Sequence, residues 1–98
     1  MIALTPEAAA QIAEFERFYV EMTRPQALRN LGHALAEASL IIVNAPERGL
    51  PAPRPYPELA VLELSWLKRG RYWIAYDASV PIIAGVFFET SAIPGRAG

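Results

Sequence analysis

Residues 58–90, ELAVLELSWLKRGRYWIAYDASVPIIAGVFFET, decide the fold. They read as three antiparallel strands in a row. Residues 59–66 place Leu62, Leu64 and Trp66 at every second position, with Glu63 and Ser65 between them. Residues 71–77 alternate likewise, Tyr72, Ile74 and Tyr76 on one side against Arg71, Trp73 and Asp77 on the other. Residues 80–89 are nearly all apolar, as a strand covered on both faces must be. Period-two patterning rich in β-branched and aromatic residues, with short breaks between runs, predicts a meander. The breaks, Lys68-Arg69-Gly70 and Asp77-Ala78-Ser79, are short enough for hairpins. So apolar a sheet needs a cover.

The N-terminal half has the pattern to supply it. Residues 1–5 begin as a short extended segment, an edge strand. Thr5 then suits a helix cap, Pro6 the first helical position and Glu7 the positive end of the helix dipole. Ala8, Ile12, Phe15, Tyr19 and Met22 recur at helical spacing, and Thr23-Arg24-Pro25 is a second start signal. Leu28, Leu31, Leu35, Ala38 and Ile42 form the stripe of the second helix, with Gly32 and the alanines at 34, 36 and 38 allowing close approach. Helices joined so tightly must fold back as an antiparallel hairpin over residues 6–44. Residues 45–57 carry proline at 46, 51, 53, 55 and 57, which predicts an extended, semi-rigid connector. Residues 91–98 read as a short frayed tail. The expected fold is α+β and a single domain over 1–98: an N-terminal strand, then an antiparallel helical hairpin packed on a small antiparallel sheet that ends in the meander.

Composition narrows the function. The chain has 98 residues and a net charge of -1, so no global positive field draws it to free nucleic acid. It has no cysteine, which removes disulfides, thiolate metal sites and cysteine nucleophiles together. His33 is the single histidine and falls off the apolar stripe of its helix, and no further ligands stand at metal-site spacing. The serines have no paired base, and the six glycines are scattered rather than gathered into a phosphate loop. No metal or cofactor is expected. No apolar run approaches the roughly 18 residues of a membrane span, so the sequence predicts a cytoplasmic protein without a membrane partner. At 53% hydrophobic the chain is apolar for its size, and a partner protein is expected to cover part of its surface.

Several phrases, in order, resemble the ParE/RelE family of toxins from bacterial type II toxin–antitoxin pairs. LTPEAAAQI is similar to the family's opening L-T-x-x-A, and PQALRNLGHAL to its second helix. IIVNAPERG, with Ile42, Pro46 and Gly49, resembles L-x-x-x-P-x-x-G. VLELSW followed by GRYWIAY resembles V-R-E-L-x-V and Y-R-I-x-Y, and FFETSAIP resembles the ParE-side ending H-x-x-x-D-I-P. The resemblance spans nearly the whole chain. It implies a toxin neutralised by a cognate antitoxin.

The departures bear on mechanism. Leu62 and Trp73 stand where the family has arginines, Glu89 where the ParE-like branch commonly has histidine, and Ala92 where it has aspartate. RNA cleavage through a 2′-hydroxyl needs a proton acceptor, a proton donor and positive charge for the phosphate. Leucine, tryptophan and glutamate supply none of the required positive charge. The resemblance then implies a ParE-like toxin without nuclease residues, one that poisons DNA gyrase. The alternatives are a RelE-like messenger-RNA endoribonuclease using Arg54, Lys68, Arg69 and Arg71, which demands that they converge on one surface, and a non-toxic relic that still binds an antitoxin. Arg54, Lys68, Arg69 and Arg71 are the candidate target contacts. Phe15, Phe18, Tyr19 and Trp66 are the candidate antitoxin contacts, since aromatics concentrate at interface hot spots.

Overall fold

A computed structural model describes residues 2–97; Met1 of the expected first strand and Gly98 of the expected tail lie outside the described residues. The elements follow one another as β1 (Ala3–Leu4), α1 (Pro6–Glu21), α2 (Pro25–Asn44), β2 (Ser65–Arg69), β3 (Tyr72–Asp77), β4 (Ile82–Phe88) and a short α3 (Ile93–Ala97). The fold is α+β, with a helical hairpin on a four-stranded sheet of order β1-β4-β3-β2. The meander β2-β3-β4 is antiparallel, and β1 joins its edge parallel to β4, Ala3 opposite Ile82 and Leu4 opposite Ile83.

Thr5 starts α1 as its spacing predicts: its hydroxyl oxygen accepts from the Ala8 amide at 3.1 Å and donates to the Ala84 carbonyl at 3.3 Å. Gln11, two turns on, accepts from the Val86 amide through its side-chain oxygen at 2.8 Å. These two side chains take over the edge of β4 where β1 stops, so helix polar groups stand in for a longer strand. The stripe of α1 is narrower than the sequence pattern implied. Ala8, Ile12 and Tyr19 are buried and Phe15 half-buried, whereas Met22 lies past the end of the helix and is exposed. Thr23 then turns the chain at φ 51°, a left-handed conformation costly for a β-branched residue. In α2, Leu31, Leu35, Ala38 and Ile42 are buried and Leu28 packs at their margin; of the small residues, Ala34 and Ala38 meet the core while Gly32 and Ala36 face out.

Two cores result, one on each face of the sheet. The first lies between the hairpin and Leu67, Tyr72, Ile74, Tyr76, Ile83 and Val86. The second joins Trp66, Trp73, Ala75 and Phe87 to Leu59 and Ile93. Ile83 and Val86 reach the same face despite their odd spacing because the β3–β4 register slips between Ala75 and Tyr76. That slip leaves Ala84 as the extra residue of a bulge.

The second core accounts for the differences from the sequence reading. Residues 59–66 were expected as one strand, but Pro57–Leu62 is a 3-10 helix and β2 begins at Ser65. Leu59 and Leu62, three apart, serve a 3-10 turn as well as alternation serves a strand, and short apolar runs do not separate the two. The 3-10 turn ends at Glu63, φ 56°. Lys68 and Arg69 accordingly belong to β2, and the hairpin turn is Gly70 and Arg71, with Gly70 at φ 56°. β4 starts at Ile82 rather than at residue 80, because Pro81 has no amide to give a ladder. The proline-rich connector is no bare crossover. It makes a 3-10 turn at Pro46–Arg48, pairs Leu50 with Trp66 through 2.8 Å bonds in both directions, and buries Pro53. The tail is docked: Ile93 is fully buried in the second core, and the Tyr56 hydroxyl donates to the Ser91 carbonyl at 3.2 Å.

Candidate binding cleft

Where the turn of the helical hairpin overhangs the end of the sheet, the packing stops short and leaves a cleft of about 940 Å³. Helical spacing brings Phe15, Phe18 and Tyr19 to this end of α1, and the last and first residues of β4 and β3, Phe88 and Tyr72, meet them from the sheet. The five rings form a continuous cluster. Phe15 stacks on Tyr19 at 6.2 Å between centroids and meets Tyr72 edge-on at 5.3 Å; Tyr72 meets Phe88 edge-on at 5.6 Å, and Phe18 meets Tyr19 at 5.9 Å. Tyr19 and Tyr72 are buried, and Phe15 and Phe88 are half-buried. Phe18, 49% exposed, is its open member.

Polar groups converge on the same place. The hydroxyls of Tyr19 and Tyr72 hydrogen-bond each other at the base of the cleft, both side chains buried. Burial, then the Tyr19 hydroxyl, push the Tyr72 phenol above its ordinary range, while the charges of Arg71 and Arg24 act the other way. Tyr72 is therefore a neutral hydrogen-bonding group at any physiological pH. Arg24, in the turn before α2, Arg71 in the β2–β3 turn, and His33 and Glu37 on α2 complete the rim. Arg24 makes no ion pair with a described carboxylate.

The candidate target contacts do not gather. Alternation along β2 sends Leu67 into the first core and Trp66 into the second, so Arg69 and Lys68 leave by opposite faces of the sheet. Lys68 lies over the Trp73 ring at 5.8 Å and approaches Glu89 at 3.9 Å. Arg71 donates to the other oxygen of Glu89 at 2.9 Å, its guanidinium 4.9 Å from the Phe88 ring. Arg69 turns back on the Lys68 carbonyl at 2.7 Å. Arg54 stands exposed in the connector, without an ion pair among the described residues. A four-cation surface is not formed. Glu89, which the sequence marks as a carboxylate that would repel a phosphodiester, instead ties two of the cations together, and the Arg71 hydrogen bond holds its carboxyl below the ordinary range.

The candidate antitoxin contacts also divide. Phe15, Phe18 and Tyr19 share the cleft, but Trp66 is fully buried on the far face of the sheet, tilted against Phe87 at 5.9 Å. The connector and α3 cover it, which is why an aromatic beside a predicted turn offers no surface. The second tyrosine of β3, Tyr76, is committed too: its hydroxyl donates to the Pro46 carbonyl at 2.6 Å, and burial raises its pKa. Sequence reasoning missed Arg24, Tyr72 and Phe88 as cleft residues. Arg24 was visible only as part of a helix start, and the two aromatics read as core. The usable signal was the pairing of Phe15 with Tyr19, one turn apart, beside a cation in the interhelical turn. Among the described residues no three His, Asp or Glu side chains stand close enough to hold a metal ion, and no helix is long and apolar enough to cross a membrane.

No protein-family model, curated protein or solved structure matches the chain.

Proposed function

We propose that this chain is the toxin of a ParE-like toxin–antitoxin pair and acts by binding, with DNA gyrase as its target and a cognate antitoxin as the partner that neutralises it. The observation that carries the reading is the state of the positions where RNA-cleaving toxins need free charge. Trp73 is built into the second core, Leu62 packs at its margin, and Glu89 bridges Lys68 and Arg71. Nothing in that arrangement offers a proton acceptor beside an unpaired cation, so catalysis of phosphodiester cleavage is disfavoured. The order of strand, helical hairpin, connector and meander supports the same family reading. The open aromatic cleft, with Phe15, Phe18 and Tyr19, supports a polypeptide partner.

Induced expression in bacteria without any partner tests this. Growth arrest with broken chromosomes and intact transcripts is the expected result. Arrest with cut transcripts would instead make the protein a nuclease, and soluble protein with undisturbed growth would remove the toxin reading altogether.

A further inference from the structure

The Tyr19–Tyr72 pair contains an unfinished hydrogen bond. Two hydroxyls carry two protons, and their mutual bond consumes one. The accepting hydroxyl keeps its own proton, and neither tyrosine has another hydrogen-bond partner among the described residues. Both side chains are more than nine-tenths buried, and both line the cleft. A buried donor without an acceptor is costly, so this proton is available to a ligand that enters from the open side.

We propose that the cleft binds a small organic acid, an aryl or alkyl carboxylate, with its apolar body against Phe15, Phe18 and Phe88 and its carboxylate shared between Arg24 and the spare tyrosine proton. The cleft has the volume and the largely apolar wall with few convergent polar groups that small-molecule sites have. Charge selects a monoanion. Among the described residues Arg24 is the one rim guanidinium without a carboxylate partner; Arg71 is already offset by Glu89. Glu37 lines the same rim, and a dianion would be left with uncompensated charge beside it. A guanidinium and a neutral hydroxyl together match the two oxygens of one carboxylate. Arg24 and Arg71 line the same cleft as the tyrosine pair.

The acid would occupy the same cleft that the toxin reading offers to a polypeptide partner, but the two are tested separately, because purified protein is titrated with a ligand and no growth effect is scored. The full chain is titrated with 4-phenylbutyrate and, separately, with its uncharged amide, following backbone amide shifts and heat. The acid is expected to bind and to shift residues around Arg24 and Tyr72, with the amide weaker by about tenfold or more. Arg24→Gln, an exposed change, should cost the acid about the same factor and leave the amide where it was. The double variant Tyr19→Phe/Tyr72→Phe removes both members of the hydroxyl pair at nearly constant shape, so it should fold and should weaken the acid again. Equal binding of acid and amide, no binding of the acid, or an Arg24→Gln protein that binds the acid as the parent does would each overturn the proposal.

Discussion

Ile93→Ala tests whether the C-terminal helix closes the second core. Ile93 is fully buried against a cluster that includes Leu59, Trp66, Trp73 and Phe87. Removing three carbons at about 0.8 kcal/mol each forfeits roughly 2.4 kcal/mol of transfer energy, before any cavity is counted. Ile→Ala changes in cores span about 2–5 kcal/mol. A five-residue terminal helix can settle into the space or undock, which holds the cost to the lower part of that range, about 2–3 kcal/mol. At about 4–8 °C per kcal/mol for a domain of this size, Tm should fall by roughly 8–24 °C. Urea titration followed by tryptophan fluorescence is the assay, since both tryptophans belong to the cluster that Ile93 closes. The native emission should shift red as the core opens to water, and the m-value should stay close to that of the parent. Ile93→Val, losing one methyl, should cost about 0.5–1.5 kcal/mol and serves as the graded control. A loss below about 1 kcal/mol for the alanine variant, with unchanged tryptophan emission, would refute the docking of the tail.

Gly49→Ala should destabilise by about 1–3 kcal/mol in the same assay, because its Cβ would fall on the Tyr76 hydroxyl and 2.8 Å from the Ser65 Cβ, although the backbone at φ -68° suits any residue. Thr5→Ala should cost about 0.5–2 kcal/mol through the lost cap of α1, with faster hydrogen exchange at Ala8 as its local sign. Glu89 has a folded pKa held below its ordinary value by the Arg71 hydrogen bond, so its contribution is present above the ordinary carboxylate range and is lost as pH falls through the folded value. Stability curves of the parent and Glu89→Gln should therefore differ at neutral pH and converge in acid; parallel curves would contradict the bridge. Phe18→Lys should leave stability within about 0.5 kcal/mol in the same urea titration, since the ring is half exposed and contributes surface apolarity rather than core packing.

What the sequence made legible was periodicity, and what it hid was competition between periods. The stripes of α1 and α2 and the alternation of β3 each run long enough to admit one solution, and the helical hairpin over a meander follows from them. In residues 58–64 the leucines satisfy two geometries at once, and only the presence of Trp66 and Trp73 on the far face selects the 3-10 turn. That far face was legible in principle: a strand as apolar as β4 demands two covers, and the hairpin is only one. The connector and tail were the remaining chain, but prolines and a terminal position argued for exposure. Of the site, the aromatics of α1 were singled out as rings suited to a partner interface. Arg24, Tyr72 and Phe88 were not, because their meeting depends on how far the hairpin turn overhangs the sheet, a distance that no local pattern contains.

The helical hairpin also has a history on the ribosome. It is finished at Asn44, while the strands that cover its stripe are complete only at Phe88, and β1, made before either helix, must wait for β4 to arrive. At about 5–20 residues per second, Leu31, Leu35 and Ile42 face water for seconds during synthesis. Any factor that shelters nascent apolar helices has that interval in which to act. Slowing translation across the proline-rich connector, by codon choice alone, should lower the yield of soluble protein without changing one atom of the product.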